Sequence, residues 1–357
     1  MINIKCLRSQ WTDNFKKKKK YSKIDPSLLN KMIHALFLLE LLQSSGLNFV
    51  FKGGTALILL LKKSQRFSID VDITTEESRA ALEKVIGSIV HGGTFISYEY
   101  DERRSVIMGI PKAHYKFYYK SDYQTEPVSI ILDVLFEKNK YAKIIEVPIA
   151  AIWLENTGEP TMVKVPAIDA IMGDKMTAFA PTTIGIQYGQ SKDLQIIKQL
   201  FDLGKLFNSF SDLNIVYATF TAIALAEMKY RTKTISVNDA LDDIIKAGFL
   251  IAKRGISKDA NEKTQYDELA SGLLKIKSFL ISENFRIDEA IEASAKISYL
   301  AARFKKKDFS KIEYYSKKAN ALIPLIESKE YSFLNKLRKL PNEAFYYWTK
   351  TIELISQ

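Results

Sequence analysis

Asp70 and Asp72 stand one residue apart in Arg66-Phe67-Ser68-Ile69-Asp70-Val71-Asp72-Ile73. In an extended strand alternate residues share a face, so Ser68, Asp70 and Asp72 project together while Phe67, Ile69, Val71 and Ile73 face a core. Two carboxylates one strand repeat apart lie about 7 Å apart at the backbone and repel unless a cation sits between them. Hard oxygen ligands of this kind suit Mg²⁺ or Mn²⁺.

Just upstream, Lys52-Gly53-Gly54-Thr55 joins a short apolar strand, Asn48 to Lys52, to a helix running from Ala56 to about Lys63. Glycines let a backbone approach a bulky ligand closely. The first turn of a helix presents unpaired N–H groups and the positive end of its dipole, which suits phosphate. A strand, a Gly-Gly-Thr turn, a helix and then a strand with Asp-x-Asp puts a phosphate cradle beside a metal site. Asp133 is the candidate third carboxylate. It interrupts the apolar run Val128 to Phe136, where burying even an unpaired polar group costs about 2–7 kcal/mol.

Those residues need a scaffold that holds strands next to helix starts. Asp25-Pro26 predicts an N-cap and a first-turn proline for a helix running to about Ser45, closed by Gly46. Another helix is predicted over Glu76 to Val90. Strands are predicted at Thr94–Tyr100, His114–Lys120, Val128–Phe136 and Ile144–Ile149. Beyond about Pro166 the pattern turns helical, with helices predicted over 167–180, 191–208, 212–229, 237–252, 264–282, 286–303, 309–326 and 342–355. The expected fold class is therefore α+β. A basic arm spans 1–24, a mixed-sheet domain 25–166 and a helical bundle 167–357.

Two helical segments carry further polar residues in unusual places. Ile168, Met172, Lys175 and Phe179 fall on one helical stripe, so Lys175 lies on an apolar face. Ser191, Gln195, Lys198, Asp202 and Lys205 form a polar stripe on the next helix. Lys198 and Asp202 also have the spacing of a solvent-facing ion pair.

The chain has 357 residues and 52 Lys+Arg against 41 Asp+Glu, a net charge of +11. That surplus suits a polyanionic partner such as nucleic acid or a polyphosphate, and equally serves solubility. Residues 16–20 are five lysines, expected to be a solvated arm or a phosphate contact. The single cysteine, Cys6, excludes an intrachain disulfide and a thiolate zinc cluster. Three histidines, none four apart, argue against a histidine-rich metal site. No secretory hydrophobic region is evident, and the apolar stretch Ala35 to Leu42 contains Glu40 and is too short to span a bilayer. The expectation is a cytoplasmic protein with no membrane partner.

Lys52–Leu57 with Arg66–Asp72 resembles the opening motif of the AbiEii/AbiGii nucleotidyltransferase toxin family, within the DNA polymerase β-like superfamily. The resemblance implies transfer of a nucleotide from an NTP, with Mg²⁺ or Mn²⁺ as cofactor. Asp70 and Asp72 match the metal-binding pair, and Asp133 the third carboxylate. Lys52, Gly53, Gly54, Thr55, Arg66, Ser68 and Lys198 would serve nucleotide and phosphate binding, with Arg66 equally readable as a structural ion-pair partner. Gly173-Asp174-Lys175 resembles a later motif that assigns Lys175 to the triphosphate. The family's Arg-Asp and following Asp align with either Asp193 or Asp202, and Asp202 is preferred. The implied acceptor is RNA, with the tRNA 3′ end first. Nucleotidylation of a protein and a non-catalytic nucleotide-binding module are the alternatives. A toxin of this kind implies an abortive-infection or toxin–antitoxin context and a cognate antitoxin.

Overall fold

The computed structural model describes every residue except 62–65, 103–109, 282, 317–322 and 341–342. The chain divides into two compact units. One comprises Met1–Ala167 with Phe279–Glu283; the other comprises Ile168–Ser278 with Asn284–Gln357.

The first unit is built on a five-stranded mixed sheet. Its strands are β1 (Val50–Lys52), β2 (Val71–Thr75), β3 (Ser97–Tyr100), β4 (Lys112–Tyr119) and β5 (Val128–Phe136). Their order is β1-β2-β5-β4-β3, with β2 and β5 parallel and the other neighbours antiparallel. One face is apolar: Phe51, Val71, Ile73, Ala113, Tyr115, Phe117, Ile130, Leu132 and Val134 are buried there. Strand alternation sends Asp72, His114 and Asp133 to the other face. A separate two-stranded sheet pairs β6 (Ile144–Pro148) with β7 (Met162–Pro166). β7 was not predicted; its short Met-Val-Lys-Val pattern gains strand character from pairing with β6.

Three helices of this unit are α1 (Ser9–Lys16), α2 (Pro26–Ser44) and α3 (Gly53–Leu60). Asp25 caps α2 by accepting from the N–H groups of Ser27 at 2.8 Å and Leu28 at 3.3 Å. Helix α2 is buried along most of its length and packs on β2 and β5. Its Glu40 is fully buried, and its carboxylate accepts from Ile2 N–H at 2.6 Å and Thr161 Oγ1 at 2.7 Å. Those bonds offset the desolvation of the charge. A fourth helix, α4 (Arg79–His91), is capped by Ser78 and packs on α2.

The basic arm expected over 1–24 is folded onto this unit. Trp11 Nε1 donates to Trp153 O at 2.8 Å, Phe15 stacks edge-on against Trp153, and Lys18 sits over the Phe15 ring. Apolar residues Ile2, Cys6 and Phe15 are buried, which outweighs the self-repulsion of the lysines. The strand expected over Phe67–Ile73 begins only at Val71. Residues 67–70 are irregular because their anchor lies elsewhere: Phe67 N–H donates to Phe279 O at 2.7 Å, and Arg66 bridges to Leu280.

The second unit is helical: α5 (Ile168–Ala178), α6 (Asp193–Leu206), α7 (Leu213–Tyr230), α8 (Val237–Ala252), α9 (Ala260–Lys275), α10 (Ile287–Lys305) and α11 (Ala344–Ile355). Small residues set close approaches. A Cβ on Gly173 would lie 2.4 Å from Val216 O, so α5 presses directly on α7. The expected helix over 309–326 is absent among its described residues, 309–316 and 323–326. There the backbone is drawn into tertiary bonds: Tyr346 Oη donates to Glu313 O at 3.1 Å, and Tyr315 N–H donates to Tyr347 Oη at 3.2 Å. The middle of that prediction, and the end of the helix predicted to Lys63, lie outside the described residues. Among the described residues no helix is long and apolar enough to cross a membrane.

Candidate active site

Four polar residues line up across the first unit's sheet. Lys52 is the register partner of Asp72, Asp72 of Asp133, and Asp133 of His114. Register partners point to the same face, and neighbouring strands lie about 4.8 Å apart. The row therefore reads cation, carboxylate, carboxylate, imidazole on the face opposite the apolar core. Two adjacent carboxylates repel, and the flanking Lys52 and His114 are placed to relieve that repulsion. His114 Nδ1 donates to Asp133 Oδ1. An ionised carboxylate only accepts, so with Asp133 charged Nδ1 is the donor of this bond.

The glycine turn is shaped by the protein's own side chains. Gly53 has φ +76°, which L-residues other than glycine adopt at a cost. A Cβ there would also lie 2.2 Å from Asp72 Oδ2. The Asp72 carboxylate thus rests against the first residue of α3, where the helix dipole favours negative charge. A Cβ on Gly54 would lie 2.6 Å from Arg66 Nη2 and 2.8 Å from Ser68 Oγ. The close approach foreseen for a ligand is made first by Asp72, Arg66 and Ser68.

Asp70 and Ser68 lie in the irregular stretch before β2. Thr55 Oγ1 lies 2.5 Å from Asp70 O and 2.9 Å from Ser68 Oγ, which ties that stretch to α3. Arg66 is buried and donates through Nη1 to Phe67 O at 3.0 Å. No side-chain hydrogen bond caps α3 at Lys52.

Sequence reasoning missed two residues here. His114 is one; only the pairing of β4 with β5 reveals it. Lys31 on α2 is the other. Burial pushes its ammonium below the usual lysine value, and the charge of Asp70 partly offsets that push. The sequence signal was a lone lysine ahead of the continuous apolar run of α2.

The donor set fits a hard divalent cation, since Asp70, Asp72 and Asp133 offer only oxygen. Gly53 supports that fit, because its missing side chain is what admits the Asp72 carboxylate. Among the described residues no three His, Cys, Asp or Glu side chains already form a metal-holding group. The Asp133 carboxylate is engaged by His114 instead.

The remaining predicted residues fall in the second unit. Lys175 Nζ is 2.6 Å from Asp202 Oδ2 and 3.1 Å from Gln199 Oε1. Both members of the ion pair are buried, at 5% and 3% side-chain exposure. Lys198 is half-buried on α6. Asp193 opens α6 and pairs with Lys275 at 2.6 Å. Burial opposes its charge, yet the bonds from Lys275, Ser271 and the Leu194 N–H outweigh it and hold the carboxyl below the usual range. Asp193 therefore ties α6 to α9, while Asp202 is the acid joined to Lys175.

Residues 36–289 match the model of the family described as nucleotidyl transferase AbiEii toxin, type IV TA system. That span is well over half of the chain. Two solved structures are also similar. One is an H. pylori protein provisionally described as a nucleotidyltransferase, 16% identical, covering 82% of this chain and 100% of that chain at a TM-score of 0.45. The other is JHP933 from Helicobacter pylori, 16% identical, covering 80% of this chain and 95% of that chain at a TM-score of 0.42. No curated protein matches the sequence.

Proposed function

Because this chain belongs to the AbiEii nucleotidyl transferase toxin family of type IV toxin–antitoxin systems, we propose that it moves a nucleoside monophosphate from an NTP to an RNA hydroxyl. The tRNA 3′ end is the leading acceptor, and an antitoxin is the expected protein partner. The observation that carries the reading is the Asp72–Asp133 register pair, with Asp72 seated against Gly53 at the start of α3.

Asp70, Asp72 and Asp133 would hold Mg²⁺ or Mn²⁺, which supplies charge neutralisation and polarisation of a phosphate oxygen when bound. The chain's own groups do the rest. The N–H groups of Gly53, Gly54 and Thr55 at the first turn of α3 take phosphate oxygens. Lys52, at the N-cap of α3, adds a positive charge beside them. The buried Arg66 guanidinium adds positive charge under Gly54 and holds the turn's shape. Ser68, tied to Thr55, orients its hydroxyl toward the same turn.

The acceptor oxygen attacks the α-phosphorus, forming one P–O bond. The bond from that phosphorus to the bridging oxygen of the β-phosphate breaks, and pyrophosphate leaves with the electron pair. A carboxylate oxygen of Asp133 accepts the hydroxyl proton. The roles given to Lys175, Lys198 and Asp202 rest on the resemblance; their own unit supports a buried Lys175–Asp202 ion pair. The net charge of +11 favours a polyanionic acceptor.

The test incubates full-length protein with each α-labelled NTP, Mg²⁺ and total RNA, beside Asp70→Ala. Label on small RNA that disappears in the variant is the expected result. Label on a protein band would point to protein nucleotidylation. Nucleotide binding with no transfer would point to a non-catalytic module.

A further inference from the structure

Helix α8 presents Lys246 and Phe249 along one face, and its C-cap residue Lys253 follows one turn further on. That face, with Lys305, Tyr331 and Phe333, lines a concave cavity of about 330 Å³ lying wholly within the second unit. The cavity has an aromatic wall. Phe249 stacks on the buried Trp348 at 4.6 Å and on Tyr331 at 5.2 Å, and Phe333 meets it edge-on at 6.3 Å. Such a column is held rigid before any ligand arrives, so stacking on it costs little ordering entropy.

The cavity's rim also carries ammonium groups. Three lysines line it beside two acids, Asp242 and Glu330, and Glu262 adds a third carboxylate at Lys253. Lys305 is held by Asp242, and Lys253 by Glu262 at 3.0 Å, so two ammonium groups are fixed in place. Lys246 is exposed at the mouth. A π-surface beside fixed ammonium groups is complementary to an aromatic base that carries phosphate. The volume lies at the small end of ligand pockets, which run from about 300 to 1,000 Å³, and suits a single nucleotide. An extended acidic peptide would satisfy the lysines and leave the ring wall unused.

We propose that this cavity binds one nucleoside phosphate, with its base on the Phe249–Tyr331–Phe333 wall and its phosphate on Lys246, Lys253 and Lys305. The nucleotide is either free or one residue of a single-stranded RNA. None of these residues belongs to the carboxylate site of the first unit, so the inference stands apart from the transfer reaction.

Binding to the full-length protein is measured in EDTA, with adenosine 5′-monophosphate, a short single-stranded oligoadenylate and an aspartate-rich peptide as probes. Tyr331→Ala is expected to weaken nucleotide binding about tenfold through lost stacking. Lys246→Gln is expected to weaken it and to lower the salt dependence of oligoadenylate binding by about one counterion. Lys246 is exposed, so its variant should keep the wild-type melting temperature and remains informative if Tyr331→Ala perturbs folding. Binding of the monophosphate identifies a free nucleotide, and binding of the oligoadenylate alone identifies an RNA subsite. Wild-type protein that binds neither, variants that bind as wild type does, or preference for the peptide would each overturn the proposal.

Discussion

Asp72 and Asp133 are register partners across β2 and β5, the parallel pair of the five-stranded sheet. Parallel pairing brings two strands that are distant in sequence into the same direction and phase. The two carboxylates therefore emerge side by side, next to the turn that starts α3. Several consequences can be measured.

Gly53 should not tolerate a side chain. Gly53→Ala places an L-residue at φ +76° and a Cβ 2.2 Å from Asp72 Oδ2. The left-handed conformation alone costs about 1–2 kcal/mol. Displacing Asp72 adds to that and moves a carboxylate of the site. Chemical denaturation should show lower stability, and nucleotide transfer should fall more steeply than the folded fraction does. Wild-type stability and activity in Gly53→Ala would mean that this turn is not shaped as described.

The Lys175–Asp202 pair should behave as a coupled buried unit. Lys175→Met leaves the Asp202 carboxylate buried without its ammonium partner, a loss of about 3–5 kcal/mol. Lys175→Met combined with Asp202→Leu removes both charges and should recover much of that loss. Urea denaturation of the two single variants and the double variant forms the cycle. Additive losses would show that the two side chains do not depend on each other.

Acid should destabilise the protein through His34. This residue is buried on α2, stacks on Tyr119 at 3.7 Å and shares Nδ1 with Asn30 O at 2.8 Å. Burial depresses its pKa to about 4, against an ordinary value near 6.5. The folded state thus holds fewer protons than the unfolded chain between those two values. The stability is fully present above about pH 6.5 and is lost as pH falls toward about 4, by roughly 3 kcal/mol at most. His34→Phe keeps an aromatic ring against Tyr119 and should blunt this loss. Denaturation midpoints at neutral pH and near pH 4.5 compare the two proteins; equal acid sensitivity would contradict the assignment.

Asp193 should prove structural. Its bond to Lys275 joins α6 to α9. Asp193→Asn should lower the melting temperature and leave the specific activity of the folded fraction unchanged. A selective loss of activity at unchanged stability would favour Asp193 over Asp202 as the acid of the family motif.

The parts of this architecture that sequence revealed are local. Asp25 and Pro26 announce α2 because a cap and a first-turn proline act within one helical turn. Gly53, Gly54, Asp70 and Asp72 stand out because their spacing lies within one turn-and-strand unit. His114 did not stand out, since its bond to Asp133 depends on the pairing of β4 with β5. Lys175 was legible as a lysine on an apolar stripe, but its partner was not: Asp202 also suited a solvent-facing pair with Lys198. The irregular run at 311–316 was hidden for the same reason. Its helical periodicity is overridden by Tyr346 and Tyr347, which capture its backbone from α11.

Label transfer by Asp133→Asn tests the carboxylate row most directly. The asparagine keeps the size of the side chain and a hydrogen-bond partner for His114 while removing the charge. With α-labelled NTP, Mg²⁺ and the RNA acceptor, transfer should fall about a hundredfold or more, as for other lost charge-stabilising groups, with the melting curve unchanged. Transfer at the wild-type rate by folded Asp133→Asn would show that the row spanning β2 and β5 is not where the reaction takes place.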